Sequence, residues 1–193
     1  MKGVNIFLAD GFEDIEALAT YDVLRRGEID VNLISLSDDP FVVSSHGITI
    51  GVEQSINDID LSAKGTERKD IMIFPGGMPG TRNLAGCKPL IEAMKEHYDA
   101  GGSLAAICAA PGLVLSKLEE RLEGVKFTCY DGFEDATSAF GAEFIPKPAI
   151  RCDRIITGRS AGHAVTFALE ILEFLTEDAT ALEVNRSLHL DTI

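Results

Sequence analysis

The sequence is poor in positive charge: 17 Lys and Arg stand against 31 Asp and Glu, a formal net charge of −14 at pH 7. So acidic a chain has no basic face for a phosphate backbone or an anionic membrane surface, and nucleic-acid and membrane partners are set aside. Long hydrophobic runs are missing as well. The opening stretch MKGVNIFLADGFEDIEAL has an apolar run too short for a signal-peptide core and meets acidic residues at once. No later run reaches the ~20 apolar residues that span a bilayer. A cytoplasmic chain is expected. The cysteines lack metal-binding spacing: Cys87, Cys108, Cys129 and Cys152 are dispersed, with no C-x-x-C pair and no His at ligand distance. No zinc site or other metal is assigned, and the thiols are read as reduced. Their flanks, AGCK, AICA, FTCY and IRCD, share nothing else, so the spacing is no repeat. Neither G-x-G-x-x-G nor a P-loop appears, and no cofactor is expected. No linker or low-complexity tract divides residues 1–193, which are read as a single domain.

What is present is an alternation of apolar runs and amphipathic segments. GVNIFLA is a buried strand, and DGFEDIEALATYDVLRRG a helix whose stripe is taken to be Ile15, Leu18 and Ala19, with Glu16 flanking it. Gly27 is read as ending it, as a C′ residue. VNLISL follows, completing a βαβ unit. FVVSSHGITIG reads as a hairpin turning at Ser45, His46 and Gly47. DIMIF and SLAAIC are further buried strands, separated by PGGMPG and the helix PLIEAMKEHYDAGG. APGLVLSKLE is expected to continue as one helix. From Glu119 to Ala149 the pattern supports only short strands and loops, after which RIITG is a last strand and GHAVTFALEILEFL a long helix. The fold class is α/β, a mostly parallel sheet with helices on both faces and strands near residues 3–8, 31–35, 70–74 and 103–107.

In such a sheet ligands lie beyond the carboxyl ends of the strands, and three features fall there: Glu16, the Gly76–Gly77 pair and Cys108. Cys108 occupies a sharp strand-to-helix turn, with Pro111 suited to the first helical turn. Helix N–H groups there are expected to lower its pKa below the free value of ~8.5. The other three cysteines are read as small buried hydrophobes. Backbone N–H groups of Gly76, Gly77 and Ala109 can form an oxyanion hole. A half-buried Glu16 beside a thiolate is expected to hold a proton at neutral pH.

The segments GFEDIEALATYDVLRR, PGGMPGTRNL, AAICAAPGLVL and TGRSAGHAVTFALEIL, in that order, resemble the DJ-1/ThiJ/PfpI superfamily, and within it the DJ-1 and YajL-like branch, over essentially the whole chain. The resemblance implies a flavodoxin-like fold of the class I glutamine amidotransferase type and a homodimer. It implies that Cys108 is the reactive cysteine, that Glu16 is its protonated partner, and that Gly76, Gly77 and Ala109 surround the sulfur. Arg159 corresponds to an arginine near the dimer interface, and Arg26 to one that approaches a neighbouring subunit. The sequence departs from the PfpI-type peptidases, which carry His directly after the cysteine where this chain has Ala109. Where eukaryotic DJ-1 proteins place a His near the cysteine, this chain reads TCYDG, so Cys129 or Tyr130 takes that place. Of the four histidines, His46 is the one expected at the pocket; His163 starts the last helix, and His97 and His189 are read as surface residues.

Two functions of different class use these residues. In the first, Cys108 attacks a small reactive carbonyl such as methylglyoxal, or its early glycation adducts, with Glu16 moving protons, as in a glyoxalase or deglycase. In the second, Cys108 is oxidised to sulfinate in a redox-responsive chaperone or stress sensor without a true substrate. A cysteine peptidase is disfavoured, because no base stands beside the thiol.

Overall fold

The computed structural model describes residues 1–63, 65–176 and 178–190. In chain order the elements are β1 (Val4–Leu8), α1 (Asp14–Arg26), β2 (Val31–Ser35), β3 (Phe41–Val43), β4 (Thr49–Gly51), β5 (Gln54–Ser55), β6 (Ile71–Phe74), α2 (Gly80–Gly86), α3 (Lys88–Asp99), β7 (Ser103–Ile107), α4 (Ala110–Leu113), β8 (Lys126–Phe127), α5 (Asp135–Ser138), β9 (Glu143–Phe144), β10 (Ala149–Cys152), β11 (Ile155–Gly158), α6 (Ala164–Leu175) and α7 (Asp178–Ser187). A seven-stranded sheet runs β10-β11-β7-β6-β1-β2-β5, parallel except for the edge strand β10. β3 and β4 form the expected antiparallel hairpin outside that sheet, and β8 with β9 a second small pair. Among the described residues no helix is long and apolar enough to cross a membrane.

The apolar runs form central strands because both faces of the sheet are covered. Along β1, Val4, Ile6 and Leu8 point into a core shared with Ala17, Val23 and Leu24 of α1 and Phe167, Ile171 and Leu172 of α6. Phe7 points to the opposite side, where it stacks on Phe74 (centroids 5.6 Å) above Leu90 and Met94 of α3 and Val114. β6 and β7 alternate in the same way: Met72, Phe74, Leu104 and Ala106 on one side, Ile71, Ile73, Ala105 and Ile107 on the other.

Four local expectations are corrected. The buried face of α1 comprises Asp14, Glu16, Ala17, Thr20, Val23 and Leu24, while Ile15 is 55% and Leu18 36% exposed. The helix is rotated from the reading because Ala17 permits close packing on α6 and the carboxyl of Glu16 finds an N–H partner inside. Gly27 has φ −80° and the left-handed residue is Glu28 (φ 60°); Gly27 is small because a Cβ there would lie 2.3 Å from Leu172 Cδ1. APGLVLSKLE is not one helix: α4 stops after a single turn, and a 3₁₀ segment, Leu115–Leu122, follows with Glu119 in the left-handed region (φ 58°). His97 is buried. Its Nδ1 lies 3.1 Å from the Met1 amine and accepts from Gly65 N–H, Nε2 contacts the Asp70 and Ser103 carbonyls, and burial lowers its pKa to about 4.

The rotated face of α1 sets a test. Leu24→Ala, which empties a fully buried position against α6, is expected to cost about 2–5 kcal/mol of unfolding free energy, read from urea denaturation. An unchanged midpoint would contradict the packing.

Candidate active site

The chain runs outward from β1 to β2 and then returns to the other side of β1 as β6. A crevice opens where the strand order reverses, outside the carboxyl ends of β1, β6 and β7. The segments that follow these strands supply Glu16, Gly76 and Cys108.

Cys108 follows β7 with φ 64°, a left-handed conformation that costs a non-glycine residue on the order of 1 kcal/mol or more. Two backbone bonds hold it there: its N–H donates to the Gly158 carbonyl (3.0 Å), and its carbonyl accepts from Tyr130 N–H (2.8 Å). The turn carries the thiol away from the strand toward Gly76. There a side chain is impossible, because a Cβ on Gly76 would lie 2.5 Å from Glu16 Oε2, 2.6 Å from Cys108 Cβ and 3.1 Å from its Sγ. Glu16 reaches the same point from the first turn of α1. It is 1% exposed, and its Oε2 accepts the Gly76 N–H (2.8 Å). The start of α1 is pinned by Glu13, whose carboxylate caps Glu16 N–H (2.7 Å) and whose own N–H donates to the Gly76 carbonyl (2.9 Å).

Burial pushes the Glu16 carboxyl up to about 7, against a hydrogen bond with Cys108 and the Gly76 N–H. Burial, then the charge of Glu16 and its hydrogen bond, push the Cys108 thiol up to about 12, opposed by the N–H groups of Ala109 and Gly77. The expectation of a thiol lowered by a helix terminus is therefore reversed: the helix behind it is only four residues long, and a buried carboxylate outweighs it. Two acids in contact titrate as a pair. Between about 7 and about 12 the pair shares one proton, as thiol with carboxylate or as thiolate with carboxylic acid. Glu16 Oε1 is buried with no hydrogen-bond partner of good geometry among the described residues, an arrangement that favours the neutral carboxyl.

The other candidates divide. Gly77 (φ 90°) and Ala109 both turn an N–H toward the sulfur, whereas the Gly76 N–H is committed to Glu16 and is not available to an oxyanion. Tyr130 packs beside the elbow through its backbone, its side chain half exposed against Phe133. Cys129 is buried and its thiol is pushed up to about 12. Arg159 follows the Gly158 carbonyl that holds Cys108 and pairs with Asp131 (2.5 Å). Arg26 is not brought to the crevice: it lies ten residues along α1 from Glu16, about 15 Å at 1.5 Å per residue, and pairs with Asp22 (2.7 Å). His46 sits at the hairpin tip with Nδ1 2.6 Å from Asp14 Oδ2. The sequence reads Glu13 and Asp14 as acids at the helix N-terminus, and they stand there, Glu13 as the cap; acids in a first helical turn carry no mark of the partner His46, 32 residues away.

The fold and site define an α/β protein with a half-buried Cys on a strained strand-to-helix elbow, paired with a buried Glu. The chain belongs to the DJ-1/PfpI family, whose model matches residues 2–174. It is 35% identical over 95% of its length to protein DJ-1 homolog B of Arabidopsis thaliana and spans 40% of that protein, less than half. It is 32% identical to the glutathione-independent glyoxalase DJR-1.2 of Caenorhabditis elegans, over 84% of this chain and 82% of that one. The solved structure of oxidized Toxoplasma gondii DJ-1 superposes with a TM-score of 0.86 at 28% identity, over 97% of this chain and 98% of that one.

The coupling of the pair gives it a pH signature. Glu16→Gln removes the negative neighbour, so the Cys108 thiol is expected to ionise well below about 12, read from thiolate absorbance against pH. The folded pair also holds its protons more tightly than the unfolded chain, so the stability it contributes is full below about 4.5 and falls as pH rises through about 7. Relative to wild type, Glu16→Gln is then expected to gain stability above pH 7. Superimposable titrations would show that the two groups do not interact.

Proposed function

We propose that this chain is a cofactor-independent glyoxalase-type enzyme that converts a small 2-oxoaldehyde such as methylglyoxal, or its early adducts, to a 2-hydroxy acid. The observation that carries the reading is the buried Glu16 carboxyl, which shares a proton with a cysteine whose sulfur faces two backbone N–H groups. The glyoxalase name of the nematode relative supports the same chemistry.

The shared proton moves to Glu16, and the thiolate attacks the aldehyde carbon. A C–S bond forms while the carbonyl electron pair moves onto oxygen, toward the N–H groups of Gly77 and Ala109. Glu16 returns its proton to that oxygen, giving a hemithioacetal. The carboxylate then removes the hydrogen on the former aldehyde carbon, the electron pair forms the enediol double bond, and the neighbouring ketone oxygen takes a proton from solvent. Reprotonation by Glu16 at the adjacent carbon, with the O–H proton on the sulfur-bearing carbon lost to solvent, leaves a 2-hydroxyacyl thioester. Water attacks its carbonyl and gives one proton to the Glu16 carboxylate, the C–S bond breaks, and sulfur leaves as thiolate. The sum is oxoaldehyde plus water to hydroxy acid, with no electrons gained or lost.

Oxidation of Cys108 is the second reading, favoured by the donors around the sulfur. One equivalent of peroxide takes the thiolate to sulfenate and a second to sulfinate, each losing one oxygen to water, and the sulfinate oxygens would be held by Gly77 N–H, Ala109 N–H and protonated Glu16. A reducing cytoplasm suits both readings, since all four cysteines are unpaired.

The assembly we propose is a homodimer. Ile15 and Leu18 on α1 and Phe41, Val43 and Ile48 on the hairpin are 36–56% exposed, on two elements that the Asp14–His46 contact ties together. Such a patch is suited to a second copy of the chain.

Two measurements test these proposals. Cys108→Ser is expected to abolish lactate formation from methylglyoxal, and Glu16→Gln to lower kcat roughly 10²–10⁴-fold, as loss of a general acid–base does; turnover surviving in Cys108→Ser would refute the enzyme reading. Leu18→Glu is expected to convert a dimer to a folded monomer in sedimentation, and a wild type that sediments as a monomer would refute the assembly.

A further inference from the structure

The two backbone partners that hold the strained Cys108 come from different sheets. The Gly158 carbonyl closes β11, which lies beside β7 in the main sheet. The Tyr130 N–H belongs to the segment after β8, a strand that pairs with β9 outside that sheet. The sulfur therefore keeps its place only while these two segments keep their spacing.

A buried hydroxyl joins them. Thr157 immediately precedes Gly158 in β11, and its Oγ1 accepts the N–H of Thr128 (2.9 Å), two residues before Tyr130. Both threonines are fully buried. Alternate residues of a strand share a face, so Thr157 lies on the side of Ile155, in the apolar layer that holds Leu118, Phe127 and Cys129. A hydroxyl in such a layer is tolerated while it is bonded, and an N–H left there without its acceptor is costly. The segment that carries Tyr130 is braced on its other side too: Thr128 Oγ1 donates to the Lys147 carbonyl (3.0 Å), and the Phe127 carbonyl accepts Ile145 N–H (2.8 Å). Thr157 Oγ1 ties that braced segment to the strand that supplies the second support of the elbow.

We propose that Thr157 is a positioning residue for Cys108: by holding Thr128 against β11, its hydroxyl keeps the Tyr130 N–H on the Cys108 carbonyl and the sulfur in the crevice. Without that hydroxyl the Tyr130 bond loosens, and the φ 64° conformation loses one of its two backbone restraints. A relaxing elbow carries the sulfur away from Glu16 and toward solvent. Burial and then the charge of Glu16 are what raise the thiol, so relaxation lowers it. Glu16 is the charged group that faces the sulfur, with Glu13 beside it on α1; Arg159 and Asp131, on the two supporting segments, are paired with each other. The inference concerns the elbow and is independent of the carbonyl chemistry, because it is read on the thiol with no substrate present.

Iodoacetamide alkylation of Cys108 in the full chain, followed by peptide mass from neutral to alkaline pH, tests it. Thr157→Val keeps the shape of the side chain and removes the acceptor. It is expected to lower the apparent pKa of Cys108 alkylation by about one unit or more, and to speed hydrogen exchange at the Tyr130 amide. Thr157→Ser retains the hydroxyl and is expected to follow wild type in both. Leu175→Ala empties a buried position at the last residue of α6, about 16 Å along the helix from its first residue at 1.5 Å per residue. It is expected to destabilise the protein and leave both readouts unchanged. Circular dichroism checks the fold, and Thr157→Ala is read in place of Thr157→Val if the latter does not fold. A wild-type profile in Thr157→Val, or the same shift in Thr157→Ser or Leu175→Ala, would overturn the proposal. Failure of the glyoxalase reading would show in turnover and leave these readouts as they are.

Discussion

One interaction organises this protein: the Glu16 carboxyl, buried in the first turn of α1, accepts the Gly76 N–H and shares its remaining proton with Cys108. An ionised carboxylate in that position is costly, so the site keeps a proton where an exposed acid would lose one. Much of the surrounding structure serves that contact. Gly76 lacks a side chain because there is no room for one, Glu13 fixes the helix start, and Cys108 accepts a strained backbone so that its sulfur points into the crevice rather than along the sheet.

The strain at Cys108 is sustained by the sheet. Its N–H and carbonyl are both bonded to neighbouring segments, one at the end of β11 and one after β8. A left-handed residue held from both sides is an ordered feature, and the strand before it, fully buried in both faces of the core, cannot move to relieve it. The reactive geometry is thus inherited from the packing of β7 between β6 and β11, far more than from the short helix that follows.

The chain lacks the histidine base that the PfpI-type peptidases place after the cysteine, and Ala109 contributes only its N–H there. Its one histidine near the crevice entrance is engaged with Asp14. On the proposed reading, proton movement at the thiol falls to Glu16, which suits reactions in which the same proton is delivered and retrieved more than those needing a strong base. The acidic surface, −14 overall, adds no attraction for anionic substrates and is compatible with small uncharged carbonyls.

How much of this was legible in the chain depends on the range of the forces involved. Strand runs such as DIMIF and SLAAIC, the helix GHAVTFALEILEFL and the elbow at Cys108 depend on local periodicity and turn chemistry, and they stand where the sequence placed them. The orientation of α1 does not: Ile15 and Leu18 are as apolar as Val23 and Leu24, and only packing against α6, with an N–H waiting for Glu16, decides which pair faces inward. His97 reads as polar and proves buried because four backbone and terminal groups converge on its ring. The direction of the Cys108 shift was likewise decided in three dimensions, where desolvation and a carboxylate 92 positions away in the chain outweigh the local helix end. Sequence alone determined the fold class and the elbow, because those follow from neighbours along the chain. Tertiary structure decided which face is buried, which N–H groups remain free and that His46 meets Asp14, because each depends on contacts between residues that only the folded sheet brings together.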